Sequence, residues 1–393
     1  MSRSPADAKA PLRVLMAAPV SRRREGGSAI IAYHLGEGLE RSGHSVAYIF
    51  QEDLFGNDDI SPRFSTLIFA SRLNRYISER RKQFDIVNLH APSGFFYGFH
   101  RRWFPSAQLP PQVMTLHGLE ERRVHVQSRE HKKHHAWNFN WRNRLWHRVY
   151  TFPLYRWTIR NADGAHTYSR DVWNMLQLKY NLDSDRVAYI PNGVEPRFFE
   201  QRRYDTPGPF KLLYAGTWLD QRGIYYLRDA LEHLAPQLPG LTITFAGCGC
   251  PPDVIQSFFG PKLASNIVIE PVVPSEQMHQ VFSAHDVFLF PSLMEGLPSV
   301  LLEAMASGMP VITAETCGMP DVVEDGFNGL LVPPADASAI EQAVLRLAHS
   351  PDLRKSVGEA ARQTMSRYTW ERAALKLERL FRHVIALEGQ SSE

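Results

Sequence analysis

Two glutamates stand eight positions apart, Glu295 and Glu303, and Gly296-Leu297-Pro298-Ser299 lies between them. Ionised carboxylates only accept hydrogen bonds, so they suit hydroxyl-rich ligands such as sugars. The surrounding pattern predicts a strand ending at Phe290 and a loop over 291–297. A helix should follow from Pro298, at the N1 position that proline favours, to about Ser307, closed by Gly308 and Pro310. A helix start presents free backbone amides and roughly half an elementary positive charge. The amides around 298–301 would therefore form a diphosphate site. Glu303, inside the helix, would accept from ribose hydroxyls, and Glu295 from hydroxyls of a second sugar.

The elements that must position these groups read as two α/β halves. The first opens with a strand over 12–18 and a loop over 19–27 that holds Gly26-Gly27. Two glycines there would let backbone approach a phosphate closely. A helix over 28–42 follows, with Ile30, Ile31, Leu35 and Leu39 near helical spacing and Gly43 as its stop. Strands are expected at 45–50, 85–90, 112–117 and 187–190. The pattern restarts with a strand over 210–216, a helix over 223–234 and a strand over 241–247. Further strands are expected at 266–269, 287–290 and 310–313. Strands alternating with helices imply right-handed crossovers and parallel sheets. The expected organisation is two doubly wound, Rossmann-like domains over 1–195 and 210–369. A linker rich in Pro, Gly and charge joins them over 196–209. The C-terminal segment, 370–393, should be a helix that crosses back to the first domain. Ligands of such sheets bind beyond the carboxyl ends of the strands, here in the deep cleft between the domains.

Composition narrows the class. Hydrophobic residues make up 44% of the 393 and charged residues 22%, which excludes wholesale disorder. No apolar stretch reaches the ~18 residues of a membrane-spanning helix. The first ten residues are polar and lack an apolar signal core, so the expected compartment is the cytoplasm. Cys248, Cys250 and Cys317 are too few and too odd for a disulfide framework. They also fall short of the four ligands of a structural zinc site. His131, His134 and His135 sit among Arg129, Lys132 and Lys133, which repel a cation, so no metal is expected. The net charge of +3 divides into +10 over residues 1–195 and −7 over 196–393. That asymmetry suggests an anionic partner for the first half.

The Glu295/Glu303 segment resembles the signature of the retaining, nucleotide-sugar-dependent glycosyltransferases of family 4, which have the two-domain GT-B fold. Six further motifs in the same order extend the resemblance over nearly the whole chain. Gly26-Gly27 matches a glycine pair after the first strand, and His117-Gly118 a His-Gly after a first-domain strand. Pro191-Asn192-Gly193-Val194 matches an interdomain turn, and Gly216 with Arg222-Gly223 the opening of the second domain. Gly247-Cys248-Gly249 matches a glycine turn, and Asp325 to Val332 a hairpin. The resemblance implies that Arg222 neutralises the donor diphosphate, with five donors in a fixed fork. It also implies that His117 contacts the donor sugar near the reacting carbon. Glu295 and His117 are then the catalytic candidates. Gly26, Gly27, Gly216, Thr217, Arg222, Gly296, Leu297, Pro298, Ser299 and Glu303 are the donor-binding ones. No cofactor is implied beyond the nucleoside diphosphate sugar substrate. Three positions depart from the family pattern: Thr217 stands where an arginine is common, Pro271 for a glycine and Asp321 for a glutamate.

The stretch 122–160 is rich in Lys and Arg and has one acid, Glu130. Interleaved with them are Trp137, Phe139, Trp141, Trp146, Tyr150, Phe152, Tyr155 and Trp157. Basic residues with interfacial aromatics suit an anionic membrane surface or a lipid-linked acceptor. The alternative is a helix pair that packs its aromatics inward. No nucleic-acid recognition module is visible, so no nucleic acid is expected as a partner. The expected activity is transfer of a sugar to a hydroxyl of a glycan or lipid-linked acceptor, in cell-surface polysaccharide or glycolipid synthesis. The alternatives are a nucleotide-sugar epimerase or glycogen-synthase-like enzyme of the same fold, and a non-enzymatic paralogue serving as partner or scaffold.

Overall fold

The structure, a computed structural model, describes residues 10–22, 27–56, 58, 60–61, 64–134, 141–199, 204 and 208–390. Short apolar runs build two six-stranded parallel sheets. The first contains β1 (Arg13–Ala17), β2 (Ser45–Ile49), β3 (Ile86–His90), β4 (Gln112–Leu116), β5 (Gly164–Thr167) and β6 (Val187–Tyr189), in the spatial order β2-β1-β3-β4-β5-β6. The second contains β7 (Lys211–Ala215), β8 (Thr242–Ala246), β9 (Ile267–Glu270), β10 (Val287–Phe290), β11 (Val311–Ala314) and β12 (Leu330–Val332). Their spatial order is β12-β11-β10-β7-β8-β9. In the first sheet β3 and β4 are buried at every position, as expected of strands covered on both faces. The order reverses direction between β1 and β3, and again between β7 and β10. A crevice opens beyond the carboxyl ends at such a point.

The segment 325–332 differs from the hairpin expected there. Gly326 N donates to the Gly329 carbonyl at 2.8 Å, closing a turn that feeds β12, and β12 pairs in parallel with β11. β5 was not foreseen. Its four residues, Gly-Ala-His-Thr, are too short and too polar for apolar periodicity to register.

The Trp370–Gln390 helix lies against the Gly27–Arg41 helix of the first half. Close approach is possible because Gly38 has no side chain; a Cβ there would fall 2.5 Å from that of Ala374. Arg41 pairs with Glu371 at one end, and Arg101 pairs with Glu388 at the other. Val194 N donates to the Tyr368 carbonyl at 2.9 Å where the chain passes between the halves. No helix among the described residues is long and apolar enough to cross a membrane.

Candidate active site

Two pockets lie where residues of both halves meet. The larger, about 250 Å³, is lined by His34 of the first half, Glu195 and Arg197 of the connection, and Gly216, Ser299 and Glu303 of the second. The smaller, about 180 Å³, is lined by His117 and Tyr155 on one side and Gln221, Glu295 and Gly296 on the other.

The Ser299–Ala306 helix starts one residue later than the sequence pattern suggests. Pro298 is its N-cap, with φ −70° and ψ 123°, and no side chain caps it. A proline fixes φ equally well at either position, and this shift is within the usual blur of helix ends. Leu301 N donates to the Pro298 carbonyl at 3.1 Å, so the amides of Ser299 and Val300 precede the first intrahelical bond. Both residues face the larger pocket, as does Glu303 one turn on. Burial and the neighbouring Glu195 push the Glu303 carboxyl up to about 7, and Arg197 pulls against them.

Arg222 closes the short turn Asp220–Arg222 after β7. Gly223 follows with φ +76°, and a Cβ there would sit 2.1 Å from the Pro291 carbonyl. This close approach lays Arg222 over the loop that leaves β10, at the reversal point of the second sheet. Its guanidinium pairs with Glu295 and lies 5.3 Å from the Phe290 ring centre. Burial lowers its pKa from the usual guanidinium value, and its Nε has no hydrogen-bond partner among the described residues. Arg222 itself lines neither pocket, and a half-buried guanidinium with a spare donor has the chemistry to hold a second anion.

His117 follows β4 and meets this loop across the cleft. Gly296 makes the contact possible: a Cβ there would fall 1.9 Å from the His117 carbonyl oxygen. The His117 Nε2 lies 2.9 Å from Nδ1 of His90, at the end of β3. Behind them His166 Nε2 lies 2.7 Å from Thr115 Oγ1, which also donates to Asn88 Oδ1 at 3.1 Å. Burial depresses all three imidazoles, His117 to about 4 and His166 to about 3, with His90 also well below its usual value. His117 is therefore neutral at physiological pH. It can donate or accept a hydrogen bond there without adding charge.

The remaining sequence candidates divide. Gly216, with φ +137°, lines the larger pocket. Thr217 is exposed and lines neither pocket. Leu297 and Pro298 are buried, and the Leu297 carbonyl accepts from Asn192 Nδ2 at 3.4 Å. They shape the loop from behind while Ser299 faces the pocket. Gly27 opens the first helix with φ +73° and lines neither pocket; Gly26 lies outside the described residues. Sequence reasoning missed Glu195, Arg197, His34, His90 and His166. The signal for His90 was present: 85–90 and 112–117 are neighbouring strands that both end in histidine.

The basic-aromatic stretch splits as well. The Glu120–His134 helix packs partly on the second half, so that segment does not face a membrane as a whole. Buried Glu130 accepts from Tyr226 Oη at 3.0 Å, and His134 stacks on Tyr225 with ring centres 4.0 Å apart. Trp141 and Trp157 are exposed, whereas Tyr155 lines the smaller pocket. Trp137 and Phe139 lie outside the described residues.

Two doubly wound domains, each on a six-stranded parallel sheet and meeting at a cleft, define the GT-B class of fold. Comparison with known proteins gives the family. The model described as Glycosyltransferase Family 4 matches residues 25–198, and that described as Glycosyl transferases group 1 matches 209–350. The chain belongs to this family. It is 30% identical over 158 residues to a sulfoquinovosyl transferase of Arabidopsis thaliana, covering 39% of this chain and 30% of that protein. It is 26% identical over 245 residues to an amylovoran biosynthesis glycosyltransferase of Erwinia amylovora, covering 60% of this chain and 55% of the relative. The chain thus spans less than two thirds of the length of either relative. In fold it is similar to sucrose-phosphate synthase from Thermosynechococcus elongatus, with a TM-score of 0.76, 21% identity, and coverage of 96% of this chain and 100% of that one.

Proposed function

We propose that this protein transfers a sugar from a nucleoside diphosphate sugar to a hydroxyl of a glycan or lipid-linked acceptor, with retention of anomeric configuration and without a bound metal. We further propose that it serves cell-surface polysaccharide or glycolipid synthesis, with the first half resting on the cytoplasmic face of an anionic membrane. The observation that carries the reading is the loop before the Ser299–Ala306 helix: its Glu295 pairs with Arg222 and shares a pocket with His117, and the helix start that follows lines the larger pocket. Arg222 and the free amides of Ser299 and Val300 would stabilise negative charge as the diphosphate departs. The positive charge a metal would supply falls to these groups. Glu295, already turned toward Arg222, would orient the sugar and stabilise positive charge at its reacting carbon. His117 would hydrogen-bond the sugar as a neutral ring. The departing phosphate oxygen would take the acceptor proton, so no side chain need act as general base.

The ribose would lie in the larger pocket, with its hydroxyls donating to Glu303. The relatives named for amylovoran biosynthesis and sulfoquinovosyl transfer support glycan or glycolipid chemistry in a general way. Proton NMR of the product, formed in excess EDTA, tests the reading. Transfer should persist and the new linkage should keep the donor's anomeric configuration. Inversion, or loss of activity restored by added Mn²⁺ or Mg²⁺, would contradict it.

A further inference from the structure

A second, more open groove of about 590 Å³ runs between the Glu120–His134 helix and the chain over 144–156. We propose that this groove seats a phosphate group of the acceptor, borne on a lipid. The inference rests on the acceptor being lipid-linked, as proposed above.

Charge is the first argument. Arg144, Arg148, Arg156 and His125 line the groove, and Glu121 is the only acid in its lining. Glu121 is already shared: it accepts from Arg156 Nε at 2.6 Å and also pairs with Lys179. Arg148 has no ion-pair partner among the described residues. Arg144 and Arg148 both line the groove, and an anion there would gain charge-assisted hydrogen bonds from their planar donors. Arg148 sits in a π-helical turn, His147–Thr151, an irregularity often found at functional sites.

Exposed apolar surface is the second argument, and it selects a lipid over a free sugar phosphate. Trp141, Leu145 and Val149 recur every four residues beside the arginines and are 69%, 52% and 68% exposed. A stripe of this kind next to a basic one suits the boundary between headgroups and acyl chains. Position is the third argument. Glu120 lines the His117 pocket, whereas Glu121, Val124 and His125 of the same helix line the groove. Adjacent residues of one helix, Glu120 and Glu121, thus line the pocket and the groove. A short glycan would span from the reacting hydroxyl to a phosphate at its base.

The test uses the full chain and two probes. One is co-sedimentation with phosphatidylcholine vesicles with and without phosphatidylglycerol. The other is calorimetry of inorganic diphosphate in an Arg222→Ala background, which weakens the donor site and leaves its helix amides as a constant background. The parent should favour the anionic vesicles. Arg144→Gln/Arg148→Gln should weaken that binding by roughly thirtyfold and remove the groove's share of diphosphate binding, lowering the number of sites seen. Trp141→Ser/Leu145→Ser/Val149→Ser should lose vesicle binding and keep diphosphate binding, which separates a lipid phosphate from a soluble one. Equal binding to neutral and anionic vesicles would overturn the proposal. So would diphosphate binding that the arginine pair does not alter. Nucleotide-sugar binding, measured on the same variants, should stay unchanged. Its failure in the parent would instead count against the reading of the cleft.

Discussion

The cleft wall built by the second sheet carries an arginine paired to a glutamate and a second glutamate with a raised pKa, whereas the wall built by the first carries neutral imidazoles beside a closed Glu120–Arg123 pair. Arg222 and Glu295 form an ion pair, and Glu303 titrates near 7. Opposite them His90 and His166 are buried, His117 faces the pocket, and all three are uncharged at neutral pH. The difference teaches how labour is divided. Departure of a diphosphate separates charge, and the second wall answers it with Arg222, whose Nε is unpartnered among the described residues, whereas Arg123 of the first wall is held by Glu120 through two nitrogens. A cationic His117 would oppose positive charge on the sugar; a neutral one can hydrogen-bond the sugar without that penalty.

The comparison can be broken most severely at Arg222. Arg222→Ala should lower the rate of transfer by about 10²–10³, as expected for removing a donor aimed at developing negative charge. It also leaves Glu295 without its partner, so kcat should fall more than KM rises. Arg222→Lys should recover only part, because an ammonium lacks the planar fork. Single-turnover kinetics reads both variants. An unaltered rate in Arg222→Ala would show that the second wall does not carry the charge.

A smaller effect is expected where the walls touch. Gly296→Ala places a Cβ within 1.9 Å of the His117 carbonyl, and backbone cannot yield cheaply. It should destabilise the closed arrangement by about 1–3 kcal/mol, read by chemical denaturation. Gly118→Ala meets only the Met294 methyl, at 3.4 Å, and should be nearly neutral. If both variants behave alike, the contact between the walls is not set by Gly296.

The two walls also differ in how far the sequence reveals them. Apart from Arg222, which was named from a separate motif near the start of the second half, the second wall is written in one continuous run, because a strand, a loop and a helix start lie within about twenty residues and each has a local signal. Glu295, Ser299 and Glu303 could be named from that run alone. The first wall is assembled from β3, β4 and β5, and His166 stands on a strand too short and polar to show periodicity. Its imidazoles meet only because the parallel register sets His90 beside Thr115, and Thr115 beside His166. Register between distant strands is a tertiary fact. Thr217 shows the limit from the other side: its place in the motif suggested a pocket contact, yet it is exposed outside the lining.

Calorimetric titration of UDP-, GDP- and ADP-sugars against the wild type and Glu303 variants tests the central claim most directly. In the free cleft the Glu303 carboxyl is raised from 4.5 to about 7, so it is largely protonated below neutrality. Ribose hydroxyls favour the carboxylate, so binding should release a proton and tighten as pH rises through 7. Glu303→Ala should weaken the preferred donor by about 10–150-fold, the equivalent of ~1.5–3 kcal/mol. Glu303→Gln should flatten the pH dependence. Absence of binding by all three donors, or an affinity and pH profile indifferent to Glu303, would contradict the account.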